Sequence, residues 1–233
     1  MTEAILIIFA AGLIYFVATR MAPKGLLFRL KKEEEKLNNL INEKFKDEEK
    51  TREKELVEKG QNYLNEGQLN QAEKSFLSAI QINPKEAKAY HFLGMIYLRQ
   101  NEYKGAVEAL KMATSLDQLN DTAFNNLGLA LHNLKKHDEA IVAFEKSIQI
   151  NDKIAHRYVN LGLSQQGIGN YEAAALSFEN AARIHENSEN LTLLAKNYIK
   201  LKDKKLVRKS LERLISIDPT NSWAKRTLIS YNN

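Results

Sequence analysis

The stretch 125-NNLGLALHNL-134 reads as helix, with one residue against it. Leu127, Leu131 and Leu134 fall four and three residues apart, which places them on one face of a 3.6-residue period. Gly128 lies inside that run, where glycine costs a helix about 1 kcal/mol relative to alanine. Such a penalty persists only where the missing side chain serves a purpose. The same glycine returns as Gly60, Gly94 and Gly162, each 34 residues from the next. Three more positions keep the beat: Ala72, Ala106, Ala140 and Ala174; Phe76, Leu110, Phe144 and Phe178; Ala79, Ala113, Ser147 and Ala181. A period of this length marks a solenoid built by stacking one supersecondary unit.

Each unit reads as two helices. The first contains YHFLG, FNNLG or YVNLG; a turn follows near Gly67-Gln68, Asn101-Glu102, Lys135-Lys136 or Gly169-Asn170; the second starts near Gln71, Gly105, Glu139 or Ala173. Antiparallel helices approach closely where both carry small residues, so Gly128 is expected to meet Ala140. Tertiary burial then outweighs the helix cost of the glycine.

These residues resemble the tetratricopeptide repeat (TPR), whose consensus sets a large residue, Leu-Gly, Tyr, Ala, Phe, Ala and Pro at fixed offsets. The matches are Leu56, Gly60, Tyr63, Ala72, Phe76, Ala79 and Pro84 in the first unit and Tyr90, Leu93, Gly94, Tyr97, Ala106, Leu110 and Ala113 in the second. The third has Phe124, Leu127, Gly128, Leu131, Ala140 and Phe144; the fourth has Tyr158, Leu161, Gly162, Ala174, Phe178 and Ala181. A degenerate fifth unit carries Leu191, Leu194, Ala195, Tyr198, Val207, Leu211 and Pro219 after a step of 33. The resemblance implies an all-α fold: a right-handed α-solenoid of about five TPR helix pairs over residues 53–231 (53–86, 87–120, 121–154, 155–187 and 188–221), closed by a capping helix at 222–231.

Outside the array the sequence changes character. Ala4 to Ala18 carry no charge, and the apolar span 1–22 is long enough for one crossing of a hydrocarbon core. No basic residue precedes it, unlike a cleavable signal peptide, and it lacks the polar face of an interfacial helix. A single-pass N-terminal transmembrane helix is expected. Arg20, Lys24, Arg29, Lys31 and Lys32 follow the span, which predicts the N-terminus outside and the array on the cytoplasmic side. Residues 23–52 read as a charged helical stalk with a thin stripe of Leu30, Leu37, Ile41 and Phe45, too short to argue a coiled coil. Pro23 and Gly25 are expected to break the helix leaving the membrane.

Composition and motifs narrow the chemistry. There is no cysteine, which excludes disulfides, thiol nucleophiles and cysteine-ligated metals. There is no G-x-S-x-G, P-loop, G-x-G-x-x-G or H-E-x-x-H. The five histidines, His91, His132, His137, His156 and His185, show no i,i+3 or i,i+4 pair. No catalytic residue, metal or cofactor is expected. Residues 53–187 carry fourteen basic against seventeen acidic side chains, and residues 188–233 ten against four, so no continuous basic surface suggests nucleic acid.

The resemblance implies a concave face lined by the first helix of each unit. That geometry nominates His91, Met95 and Leu98, then Asn125, Asn126, Leu129 and His132, then His156, Asn160, Leu163 and Gln166. Asn126 and Asn160 stand two residues before their glycines, where some family members run an asparagine ladder along a peptide backbone; Phe92 and Leu193 end this one. The family's chaperone-tail clamp is absent, since its Lys and Asn places hold Val57 and Gln61. Lys202, Lys204, Lys205, Arg208, Lys209 and Arg213 form a basic segment suited to an acidic partner or anionic lipid. The expected function is a membrane-anchored adaptor that binds protein or peptide partners and assists assembly of a membrane-associated complex. The alternatives are an envelope-facing (periplasmic) assembly or quality-control factor and a self-associating homo-oligomeric scaffold.

Overall fold

The computed structural model describes residues 24–232. Eleven helices form among them: α1 (Lys24–Asn65), α2 (Leu69–Ile82), α3 (Ala87–Arg99), α4 (Tyr103–Leu116), α5 (Asp121–Asn133), α6 (His137–Ile150), α7 (Ala155–Gly167), α8 (Tyr171–Ile184), α9 (Ser188–Leu201), α10 (Lys204–Ile217) and α11 (Ser222–Asn232). Each helix packs on its predecessor, and the odd-numbered helices α1, α3, α5 and α7 also touch one another in sequence. The five pairs α1–α2 to α9–α10 repeat every 34 residues, with a last step of 33, and α11 closes the end against α10. The expected anchor, residues 1–22, lies outside the described residues. Among those described, no helix is long and apolar enough to cross a membrane.

The stalk and the first repeat helix are one continuous 42-residue helix, α1. Pro23 and the apolar span before it lie outside the described residues.

The turn inside each pair has one backbone conformation. Gly67, Asn101, Lys135, Gly169 and Lys202 all take positive φ, between 59° and 78°. After α3, the Glu102 N–H reaches back to the Tyr97 carbonyl at 2.8 Å and the Asn101 N–H to that of Leu98 at 3.1 Å. The same two bonds recur at Lys136 and Lys135, at Asn170 and Gly169, and at Asp203 and Lys202. This is the Schellman stop, which satisfies carbonyls that a helix end leaves open. Turns between pairs use another device: the side-chain oxygens of Asn83, Asp117, Asn151 and Asp218 each accept from the backbone N–H two residues on.

The repeating glycine faces a ring rather than the alanine expected for it. A Cβ added at Gly128 would lie 2.6 Å from Phe144 Cε1, and one at Gly162 2.7 Å from Phe178 Cε1. Gly60 stands in the same relation to Phe76, and Gly94 to Leu110. Phe76, Phe144, Phe178 and Leu110 are fully buried, each occupying the space that the missing side chain of its glycine leaves on the partner helix. The alanines of the second helix let the helices close around that contact.

Successive pairs are also joined by polar bonds. Arg157, 3% exposed, donates to Asp121 Oδ2 at 2.8 Å and to the carbonyl of Asn151 at 3.2 Å, while Asn151 Nδ2 donates to Asp121 Oδ2 at 2.9 Å. Burial opposes ionisation of Asp121, yet the hydrogen bonds from Arg157 and Asn151 hold its carboxyl below the usual carboxylate range.

Gly128→Ala should lower stability by about 1–3 kcal/mol, because Phe144 is enclosed and cannot retreat without disturbing its neighbours. Urea unfolding followed by circular dichroism measures the loss. An unchanged midpoint would show that the ring has slack.

Candidate peptide-binding groove

The nominated residues divide into two layers. Asn126, Leu129 and His132 on α5, Asn160, Leu163 and Gln166 on α7, and Met95 and Leu98 on α3 are half-buried, and His156 is exposed. His91 and Asn125 are buried, at 9% and 7% exposure. These two therefore lie beneath the face that the sequence assigned to them.

Hydrogen bonds stitch this face together between repeats. Asn126 Nδ2 meets His91 Nε2 at 3.2 Å, and Asn160 Nδ2 donates to Asn125 Oδ1 at 3.2 Å. Further along, His132 Nδ1 and Ser164 Oγ are 2.8 Å apart, and Gln166 Nε2 donates to Asn197 Oδ1 at 2.7 Å. Asn197, fully buried, donates in turn to the Tyr171 carbonyl at 2.8 Å. The sequence reading missed Ser164 and Asn197; their small or amide side chains on an otherwise apolar register were the available signal.

The histidines meet at a spacing that helical pairing rules do not cover. The His132 and His137 rings touch edge to face, with centroids 4.9 Å apart, because the Schellman turn folds α6 back against α5. His137 also packs on Gly167, where a Cβ would come within 2.7 Å of the imidazole, and its buried Nδ1 has no partner in the protein. No group of three or more His, Cys, Asp or Glu able to hold a metal occurs among the described residues.

Of the basic segment, Lys202, Lys204, Lys205, Arg208 and Lys209 are exposed. Arg208 Nε donates to the Tyr231 carbonyl at 2.9 Å, which ties α10 to α11. Arg213 does not belong to an open patch. It grips Glu179 at 2.8 Å and Glu186 at 2.9 Å, and is largely covered. At the same end, Lys196 Nζ stands 5.6 Å over the Trp223 ring.

Burial holds the imidazoles of His91 and His132 below the usual 6.5, opposed at His91 by Asp117 and reinforced at His132 by His137 and Lys135. The unfolded chain therefore binds protons near that value that the folded chain resists. Stability should be full above about pH 6.5 and fall as pH drops below it, before the carboxylates titrate. Urea midpoints measured at intervals between about pH 7.5 and 5 should show this slope, and His132→Gln should flatten part of it. A flat profile in the parent would contradict the burial of these rings.

Comparison with known proteins places this geometry. Family models described as tetratricopeptide repeat or TPR repeat match residues 56–86, 94–135, 122–153 and 188–221. No curated protein matches the sequence. Among solved structures, MamA 41-end from Desulfovibrio magneticus RS-1 superposes with a TM-score of 0.67 at 16% identity, covering 73% of this chain and 97% of that one. YrrB, described as a TPR protein with an unusual peptide-binding site, gives 0.66 at 17% identity over 74% and 89%. PilF from Pseudomonas aeruginosa gives 0.62 at 21% identity over 78% and 90%. At these identities the likeness is one of fold.

Proposed function

The chain belongs to the tetratricopeptide-repeat family, typically a non-catalytic scaffold, and from that premise we propose that it is an adaptor holding an extended segment of a partner protein along its groove. The observation that carries the reading is the pair Asn126 and Asn160. They hold the same place on neighbouring helices, and each commits an N–H to the protein. The carbonyl oxygen and second N–H of each amide remain for a ligand, which suits them to the donors and acceptors of a peptide backbone whatever its side chains. Leu129 and Leu163 beside them supply apolar contact. The peptide-binding site described for YrrB, which shares the fold, supports the same use of this one.

The adaptor works at a membrane in this reading. The apolar span 1–22 anchors the chain, and the charged, exposed part of α1 carries the array away from the surface. The five basic residues after the span set the array on the cytoplasmic side, where it assists assembly of a membrane-associated complex.

Peptides captured from a random linear library by the parent protein should bind Asn126→Ala/Asn160→Ala about tenfold or more weakly, as read by fluorescence anisotropy. Equal binding by a folded double variant would overturn the ladder. Sidedness is tested separately with single cysteines at Thr2 and Asn101, since the chain has no other thiol. An impermeant thiol reagent added to intact cells should label Thr2→Cys alone; labelling of Asn101→Cys alone would reverse the topology.

A further inference from the structure

The two groove asparagines draw their partners from the same place in the preceding repeat. Stepping back 35 residues from Asn126 reaches His91, and from Asn160 reaches Asn125, and in both cases the structure shows a hydrogen bond. The same step joins Phe92 to Val57, and Phe92 packs on the cluster that contains Val57. One residue shorter, in keeping with the 33-residue last step, it joins Leu193 to Val159, which pack on a common cluster. A polar rung therefore occurs where the preceding first helix offers a polar partner, and an apolar rung where it offers valine.

The chemistry of the two bonds fixes a direction. An amide nitrogen can only donate, so Asn126 Nδ2 requires His91 Nε2 to accept, which it does only as a neutral imidazole. Asn160 Nδ2 likewise requires an acceptor, and Asn125 Oδ1 serves. Each bond turns the asparagine oxygen away from the preceding repeat. His91 and Asn125 are themselves buried, so they reach a ligand only through the next residue in the chain of bonds.

We propose that His91 and Asn125 are positioning residues of the groove. Each holds the next repeat's asparagine amide in one orientation, so that a bound peptide backbone meets two oxygens already aimed alike. The proposal rests on the peptide-binding reading above. It reassigns His91 and Asn125 from contact residues to supports, and it makes groove affinity depend on the protonation state of His91. Asp117, beyond the end of α4, is the charge that acts on His91 among the described residues, and Phe92 stacks beside the ring at 5.5 Å.

The test uses the full chain in detergent and peptides selected by the parent protein from a random linear library. His91→Ala and Asn125→Ala should each weaken those peptides about tenfold, whereas His91→Gln and Asn125→Asp, which keep an acceptor, should restore most of the affinity. The parent should bind more weakly at about pH 5 than at about pH 8, and His91→Gln should lose that difference. The Asn126 side-chain amide, followed by nitrogen-15 resonance, should titrate with the His91 ring. Alanine variants that bind as the parent does, acceptor variants no better than alanine ones in folded protein, or an Asn126 amide indifferent to His91 would each overturn the proposal while leaving peptide binding intact. If the parent selects no peptide, the groove reading fails and the positioning role falls with it.

Discussion

The structure depends on an aromatic ring lying on a helix that has no side chain to meet it. Phe76, Phe144 and Phe178 are fully buried against Gly60, Gly128 and Gly162, with Leu110 on Gly94 in the same role. The contact sets how near the two helices of a pair approach, and hence how the next pair can stack. A repeat cannot bury this surface alone. Its stability comes from its own pair and from the pairs beside it, which is the general condition of a solenoid. The polar links between pairs, such as Arg157 with Asp121, sit where one repeat's loop meets the next repeat's helix start. They fix the angle of stacking more than they add to the core, since an enclosed ion pair offsets much of its own attraction by losing water.

That rigid stacking gives the groove its character. Side chains on successive first helices are held within hydrogen-bond reach of one another, and the face is built from His, Asn, Gln and Ser bonded across repeat boundaries. A surface of this kind is ordered before a partner arrives, so less rotamer freedom remains to be lost on binding.

Much of this was legible from residue spacing. The 34-residue beat marks the first four helix pairs and the turn inside each, because glycine and small residues recur where backbones must approach; the fifth pair, one residue out of step and without the glycine, carries a fainter signature. Side-chain partners were less legible. Gly128 was expected to meet Ala140, and the space its missing side chain leaves is taken by Phe144; a period locates small residues but does not say which large neighbour fills the gap. His91 and Asn125 lie on the predicted helix face yet beneath the surface, since a face spans a wide arc and burial depends on the neighbouring repeat. Arg213 looked like part of a basic patch because its partners, Glu179 and Glu186, lie one repeat upstream. Lys135 and Lys202 occupy left-handed turn positions that Gly67 and Gly169 advertise openly, and only the periodic register could have exposed them.

The single helix α1 has a mechanical consequence. Its last turns are the first helix of the first repeat, and Gly60, near that end, is clamped on Phe76. No hinge separates the charged rod from the array, so about 60 Å of helix acts as a lever whose short arm is locked into the first pair. A sideways force on the far end is delivered as torque to α2 and α3, the two helices that hold α1. Among the described residues the first pair thus stands between the rod and the pairs that carry Asn126 and Asn160.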